Sequence, residues 1–563
     1  MIVPMLHLDL VCMASERDAT LDRLGRLGAV HLDLSSASGS ELSALKGEAS
    51  NAEVAVRSIL KARSGYLKSQ GIAASELSRR PRSVAQTLAI VDDRAALTAE
   101  RERLEREIKI YAPYGDFDPA LARKLLEKGV DIKDRLPAKL PEMRLSRMQE
   151  KLSRVENRIA IDDAKLALSD EGEITKTYPQ LKERMDFAAA RELMAQNGAL
   201  ASISGWVPAS SLEQLKLSVK ENGWGALLRE PADGELPPTL VEPPRIFKPM
   251  KALFDGLGIA PAYSEADVSV PFMCYFSLFF AMLVGDGAYG AIFLAATLWG
   301  WRAYRRNGGG EHRQLMRSWL VLLSVFSSAT VAWGFLSNTW FGAQIPWLAD
   351  WPTVKWLADP SYQNMMLLCF TIGVSHLVLA RLWNGICKIN DITAVAEFGW
   401  AGILVFMYAV TNSIVGIFSS IPQALYWVFA LSLVAVFAFT VKPSELKSRG
   451  AELGMLPLNI MSALGDIISY VRLFAVGLAS VKVAENFNSM AVGLLAGADE
   501  WYLKLLMSVL MVAILVVGHA LNLAMAGLSI LVHAVRLNTL EFSNHKGISW
   551  AGYAFKPFKK TKE

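Results

Sequence analysis

From Met1 to about Asp267 apolar and polar positions alternate on short periods, whereas from Val268 to about Leu540 the apolar residues merge into runs long enough to cross a bilayer. Met5-Leu6-His7-Leu8-Asp9-Leu10-Val11 alternates as a strand, Glu16 to Leu27 has helical amphipathic spacing, and Ala29-Val30-His31-Leu32-Asp33-Leu34 alternates again. A small α/β lobe is expected there. Two charged stretches, roughly Ser40 to Lys109 and Leu145 to Met194, carry apolar residues at heptad-like spacing, with Leu97, Leu104 and Ile108 set against Glu100, Arg101, Glu102 and Arg103. They predict a two-stranded antiparallel coiled coil. Between them the turn cluster Tyr114-Gly115-Asp116-Phe117-Asp118-Pro119 and a short helix from Ala120 to Lys128 predict a compact second lobe at the far end.

Prolines from Leu236-Pro237-Pro238 through Glu242-Pro243-Pro244 to Lys248-Pro249 predict a stiff extended connector. The apolar run that follows, Pro271 to about Trp301, would rise roughly 45 Å as one helix, against a hydrocarbon core of about 30 Å. Gly285-Asp286-Gly287 divides it into a hairpin. Eight spans result, at about 268–284, 287–303, 315–337, 361–381, 395–417, 422–440, 456–490 and 501–535. The expected fold is mostly α: N-terminal α/β lobes joined by an antiparallel coiled coil, then a polytopic membrane domain of about eight helices. The expected domains are a cytoplasmic arm at 1–250, a linker at 251–267, a transmembrane domain at 268–542 and a cytoplasmic C-terminal tail at 543–563.

Charge orients these spans. Arg302, Arg305, Arg306, Arg313 and Arg317 fall in or beside one loop, Arg381 and Lys388 in a second, and Lys442, Lys447 and Arg449 in a third. The other side carries only Lys355 and Lys504, with Trp340, Trp347, Trp351 and Trp356 at an interfacial level. The basic loops and both termini are therefore expected in the cytoplasm, whereas a seven-span count would export the five-arginine loop. A net charge of +4 on 563 residues gives no argument for nucleic acid. The four cysteines have no metal-ligand spacing, and Met1-Ile2-Val3-Pro4-Met5-Leu6-His7-Leu8 lacks the basic start of a signal peptide. No phosphate-binding Gly-x-x-x-x-Gly-Lys-Ser/Thr loop occurs, and Gly308-Gly309-Gly310 reads as a loop tip, so no cofactor is expected and ATP chemistry would lie on another chain.

Two arginines inside the last apolar runs carry the chemistry: Arg472 in Ser469-Tyr470-Val471-Arg472-Leu473 and Arg536 in His533-Ala534-Val535-Arg536-Leu537. An arginine at the bilayer centre costs at least roughly 2.5–3.5 kcal/mol, so an intramembrane ion or counter-charge is the default function. His519, Asn522, Ser529, His533 and Arg536 recur at helical spacing and predict one polar face on the last helix, which must line water, another helix or a moving partner. For Asn522 and Ser529 singly, bonding between helices is the simpler role. Gly465, Ser469, Ala475, Val476 and Ala479 share the face of Arg472, and small residues there let another surface approach the guanidinium. Asp466, six residues away, points elsewhere on a helix; Asp286 or Glu485 are the other candidate partners. Glu541 is expected near the cytoplasmic interface, as an ion entry or exit point or as a plain helix end. Asp286 reads as a turn residue and His376 as a histidine with a satisfied hydrogen bond.

With Gly205-Trp206-Val207-Pro208, Tyr263-Ser264-Glu265-Ala266-Asp267, Gly285-Asp286-Gly287-Ala288-Tyr289-Gly290, Trp340-Phe341-Gly342, Glu541-Phe542 and Phe555-Lys556-Pro557-Phe558, the arginine motifs make the chain resemble the membrane stator subunit of rotary V-type and A-type ATPases, subunit a or subunit I. The resemblance spans nearly the whole chain. It implies a cytoplasmic arm bound to peripheral stalk subunits, and a membrane half offering two half-channels to a rotating proteolipid (c) ring. Arg472 and Arg536 would meet the ring carboxylates, favouring their ionised form and blocking a leak between the half-channels. The other rotary ATPase subunits and the lipid bilayer are further implied partners. Ala526 stands where eukaryotic relatives carry a glutamate, and Asp267-Val268-Ser269 replaces Asp-Pro-Thr, which points to a prokaryotic form in a plasma membrane. The alternative is a secondary ion transporter with a cytoplasmic regulatory arm, disfavoured because neither inverted repeats nor interrupted helices are evident. A membrane-anchored scaffold leaves the two arginines unexplained. The stator reading would collapse if both side chains were locked to acids of their own chain or snorkelled out to headgroups.

Overall fold

The computed structural model describes residues 2–70, 80–128, 136–137, 139–170, 172–232, 234–306, 313–357, 361–442, 451–496 and 501–560; Gly308-Gly309-Gly310, Lys447 and Arg449 lie outside them. The chain forms two compact units, one running from Met5 to Pro231 and taking in the segment from Lys556, the other running from Ala232 to Phe555 and taking in the residues up to Pro4.

The first unit contains β1 (Met5–Met13), α1 (Arg17–Leu27), α2 (Ser40–Gln70), β2 (Arg80–Pro81), α3 (Val84–Tyr111), α4 (Pro119–Glu127), α5 (Leu145–Ala167), β3 (Ser169–Asp170), α6 (Gly172–Leu193), β4 (Ala195–Asn197), β5 (Leu200–Pro208), α7 (Leu212–Asn222) and β6 (Gly225–Arg229). Alternate residues of β1, Leu8, Leu10 and Cys12, are buried, as the period-two pattern requires. They pack on Leu21 and Leu24 of α1, beneath an antiparallel sheet of order β4-β5-β1-β6. The expected second strand at Ala29–Leu34 does not form: His31 makes a single bridge to Trp206. Both edges of β1 are already taken by β5 and β6, which arrive from far along the chain.

The helical arm is antiparallel, with Arg94 paired to Asp163 at 2.5 Å and Glu100 to Lys151 at 2.5 Å around Leu97, Leu104, Val155 and Ile159. Each expected strand of the coil is, however, two helices, and α2 lies against α5 and α6. The carbonyls at the end of α5 need donors there. Buried Arg63 supplies Nε to Ala167 O (3.2 Å) and Nη2 to Ser169 O (2.6 Å), while Arg82 donates to Lys165 O (3.0 Å).

The C-terminal segment straps this unit. Phe558 is buried in the core, its N–H donates to Val30 O at 2.7 Å, and Lys560 pairs with Asp22. The Lys556 N–H donates to His31 Nδ1 at 3.0 Å, and burial lowers the pKa of this imidazole. A histidine whose pKa is lowered by docking favours the docked form most above its ordinary titration range, about 6.5, and that contribution is lost as the pH falls. Amide exchange at Phe558 and Lys560, corrected for intrinsic rates, is expected to quicken between pH 7.5 and 5.5, and His31→Gln to remove that pH dependence.

The second unit contains α8 (Met250–Leu257), α9 (Ser269–Val284), α10 (Gly287–Arg306), α11 (Arg313–Ser337), α12 (Pro352–Leu357), α13 (Gln363–Cys387), α14 (Thr393–Ile414), α15 (Gln423–Phe439), α16 (Leu456–Ile468), α17 (Val471–Ala496) and α18 (Trp501–Ser529). Among the described residues, five stretches are long and apolar enough to cross a membrane: α11, α13, α14, Leu456–Leu494 and Trp501–Lys546. Helices α9 and α15 are shorter apolar segments. Gly285, at φ +71°, ends α9, and Asp286 accepts from Ala288 N and Gly342 N, both at 2.8 Å, so it is the turn residue of the hairpin. A Cβ on Gly334 would stand 2.2 Å from Gly287 Cα, so α10 and α11 touch through bare backbone. Gly334→Ala is expected to cost about 1–3 kcal/mol, read as a lowered melting temperature in detergent.

Two expected spans are interrupted. The 456–490 segment breaks at Ser469-Tyr470, and α18 passes into π-helical turns at Ile530–Ala534 and Leu537–Phe542 before a last turn at Ser543–Lys546. The expectation that the chain lacks interrupted helices is corrected. Each interruption adjoins one of the two arginines.

Candidate functional site

The break before α17 is held by Tyr470. Its side chain is fully buried, its hydroxyl bonds His376 Nδ1 at 2.9 Å, and its ring occupies the space a Cβ on Gly373 would need. Hydrogen bonds from Tyr470 N to Ile467 O, Arg472 N to Ser469 O and Leu473 N to Tyr470 O tighten the chain into three-residue turns. Arg472 therefore enters in the first turn of α17, where the positive end of the helix dipole disfavours a cation. Its Nε donates to Ser469 O at 3.0 Å and its Nη2 to Glu541 Oε1 at 2.8 Å.

Arg472 thus has an acidic partner in its own chain, and it is none of the three the sequence offered. The three acids considered for it are engaged elsewhere: Asp286 in its turn, Glu485 with Lys482 at 2.7 Å, and Asp466 with His545 at 3.0 Å. Glu541 is buried within the chain, with only 5% of its side chain exposed, so it is not a plain helix end in solvent. The same Oε1 lies 3.5 Å from Arg536 Nε, while Oε2 has no hydrogen-bond partner among the described residues. Arg536 is not enclosed: 55% of its side chain is exposed, against 22% for Arg472. Two guanidiniums share one carboxylate, so this trio holds a net positive charge with its more exposed cation, Arg536, turned outward.

Geometry explains why this trio was not legible. Residues five apart on an α-helix point to different sides, so Arg536 and Glu541 look unrelated at a 3.6-residue period. The π turns, bonded i to i+5, restore them to one side. The same turns divide the expected single polar face of the last helix. His519 and Asn522 face inward: Tyr289 OH bonds His519 Nδ1 at 2.7 Å, Asn522 Nδ2 donates to Ser480 O at 2.8 Å, and His519 Nε2 lies 3.2 Å from Asn488 Oδ1. These contacts join α10, α17 and α18 about 20 Å along the helix from Arg536. Ser529 and His533 are half-buried between the two groups, and His533 Nδ1 has no partner among the described residues.

Outside these groups the outer face of α18 and the π turns after it is apolar and open. Leu521, Met525 and Leu528 of α18 and Val532 and Leu540 of the π turns are exposed along the strip that contains Arg536. Beside Arg472, Gly465, Ala475 and Ala479 are exposed, and a Cβ on Gly465 would meet nothing within 4 Å.

A further polar group went unrecognised in the sequence. Arg381 bonds Glu397 at 3.1 Å and His545 Nδ1 at 3.2 Å, Lys388 bonds Glu397 at 2.8 Å, and Lys546 donates to Asn384 at 2.6 Å. With Asn459, Ser462, Asp466 and Asn544, Arg381 and His545 line an open pocket between α13 and α16. Arg381 and Lys388 had registered only as loop charges that orient the spans.

No family model matches the chain. It is 32% identical over 404 residues to a V-type ATP synthase subunit I of Borreliella burgdorferi, covering 69% of this chain and 64% of that protein. A V-type ATP synthase subunit I 1 of Treponema pallidum is 25% identical over an alignment of 637 positions, covering 99% and 100%. An A-type ATP synthase subunit I of Methanocaldococcus jannaschii is 24% identical, covering 75% of this chain and 64% of that protein. The match therefore spans just under two thirds of the Borreliella and Methanocaldococcus proteins and the full length of the Treponema one.

Proposed function

As a homologue of bacterial and archaeal proteins named subunit I of V-type and A-type ATP synthases, this chain is, we propose, the ion-translocating stator subunit of a rotary V/A-type ATPase. Its membrane half forms two half-channels against a rotating proteolipid (c) ring, and its helical arm binds the peripheral stalk subunits. It is non-catalytic, ATP being made or hydrolysed on other chains of the complex. The protein crosses a plasma membrane several times, with both termini and the basic loops in the cytoplasm.

One observation carries this reading: Arg536 is 55% exposed on the otherwise apolar outer face that runs from α18 into the π turns after it. A guanidinium cannot be left facing hydrocarbon, so that face needs a partner bearing an anion at the same depth. A ring carboxylate passing the small residues beside Arg472 would supply the second negative charge that the trio with Glu541 lacks. Arginine stays protonated throughout, so it attracts each carboxylate without relaying a proton itself. The open pocket at Asp466 and His545 suits one half-channel, and the Tyr289, His519 and Asn488 group suits the other.

The interrupted helices favour a second reading, a secondary ion transporter with a cytoplasmic regulatory arm, because such folds bind ions where helices break. That reading leaves the outward cation unused. Cysteine cross-linking separates the two. In a background without the native cysteines, Leu540→Cys in the assembled complex should form a disulfide-type adduct with a proteolipid chain carrying a cysteine beside its own carboxylate. Failure to cross-link anywhere along the exposed strip of α18 and the π turns after it would favour the transporter.

A further inference from the structure

Near the end of α10 the helix surface changes from apolar to basic along one face. Leu298, Arg302, Arg305 and Arg306 recur at spacings of three and four, and with Trp301 they line an open pocket. Leu298 is exposed, as is neighbouring Trp299, and Arg302, Arg305 and Arg306 are exposed in the next two turns. None of these three arginines has an ion pair, a hydrogen bond or a ring contact among the described residues, whereas Arg313 of α11 is fastened to Tyr304, its Nε donating to the hydroxyl at 3.1 Å and its guanidinium 5.0 Å from the ring centroid. Trp301 is fixed by its Nε1 donating to Ser324 Oγ at 3.1 Å. The floor of the pocket is thus tied down and its cations are free.

We propose that this pocket binds one anionic phospholipid, the guanidiniums of Arg302, Arg305 and Arg306 taking the headgroup phosphate and Leu298 and Trp301 lying along the first part of an acyl chain. Three like charges within two helical turns repel one another, and a phosphate that accepts hydrogen bonds from the planar guanidinium forks removes that repulsion. Orientation of the spans alone would be served by basic residues anywhere in the loop. The continuous apolar segment on the same face argues for a lipid over a free phosphate, which would have no use for Leu298 or Trp301. The inference needs only a multi-pass membrane protein and stands apart from the ion-translocation reading.

The test is native mass spectrometry of the full-length chain in neutral detergent, titrated with phosphatidylglycerol, with phosphatidylcholine of the same acyl chains, and with inorganic phosphate. The R305Q/R306Q variant keeps Arg302, Arg313 and Arg317 to preserve the orientation of the hairpin, and R302K/R305K/R306K keeps all the charge but removes the forks. Wild type should retain one phosphatidylglycerol in preference to phosphatidylcholine. At about fivefold per charge, R305Q/R306Q should bind it at least about tenfold more weakly. The lysine variant, with its charge intact, should fall between the two. Equal retention of both lipids by wild type, unchanged retention by R305Q/R306Q, or displacement of the lipid by millimolar phosphate would overturn the proposal.

Discussion

Replacing Arg472 by glutamine is expected to abolish ion pumping by the assembled complex and to leave the chain folded and bound to its partners. Arg472 is held from two sides, by Ser469 O and Glu541 Oε1, at the start of α17. Glutamine is shorter and uncharged, so it loses the charged hydrogen bond that Nη2 makes to Glu541 and the attraction for a passing carboxylate. Losing one partner of a charge pair made across an interface costs about 2–5 kcal/mol, and at 1.4 kcal/mol per tenfold that is about thirtyfold or more in coupled flux. ATP-driven ion uptake by proteoliposomes reads the loss, and co-purification of the ring shows that assembly is intact. Wild-type uptake by R472Q complexes would remove Arg472 from the mechanism. Lysine at this position keeps the charge, but its single ammonium cannot span both acceptors as a planar guanidinium does. Uptake by the lysine variant is expected to lie between that of wild type and glutamine.

The order of helices along the membrane unit could be read from the sequence because apolar runs, flanking arginines and the Gly285-Asp286-Gly287 turn depend only on local composition. The two arginines were legible for the same reason, since a charge inside an apolar run is visible without any fold. Their shared counter-charge was not. Glu541 is brought to Arg472 across 69 residues by tertiary packing, and to Arg536 by π turns that a 3.6-residue period cannot register. The second strand expected at Ala29–Leu34 failed for a related reason: its alternation is genuine, but β5 and β6 claim both edges of β1. Arg381 shows the converse. As a loop charge it explained orientation so well that its bonds to Glu397 and His545 went unsuspected.

Glu541→Gln is expected to destabilise the membrane unit more than Arg472→Gln does. Loss of the carboxylate leaves Arg472 and Arg536 facing each other, with Arg472 beside the positive end of the α17 dipole and only Ser469 O as acceptor. An uncompensated charge in such a site costs about 3–5 kcal/mol. In R472Q, by contrast, Glu541 still has Arg536 at 3.5 Å. The R472Q/E541Q double variant removes one charge of each sign, so most of the lost stability should return, with a coupling energy of about 1–3 kcal/mol between the two positions. Ion pumping should not return, because the guanidinium that meets the ring is still absent. Thermal unfolding of the detergent-solubilised chain measures the first effect and proteoliposome uptake the second. If E541Q melts with wild type, Glu541 is not the counter-charge that holds Arg472. If the double variant pumps, the pair serves folding alone, and the outward cation of Arg536 must carry the coupling without Arg472.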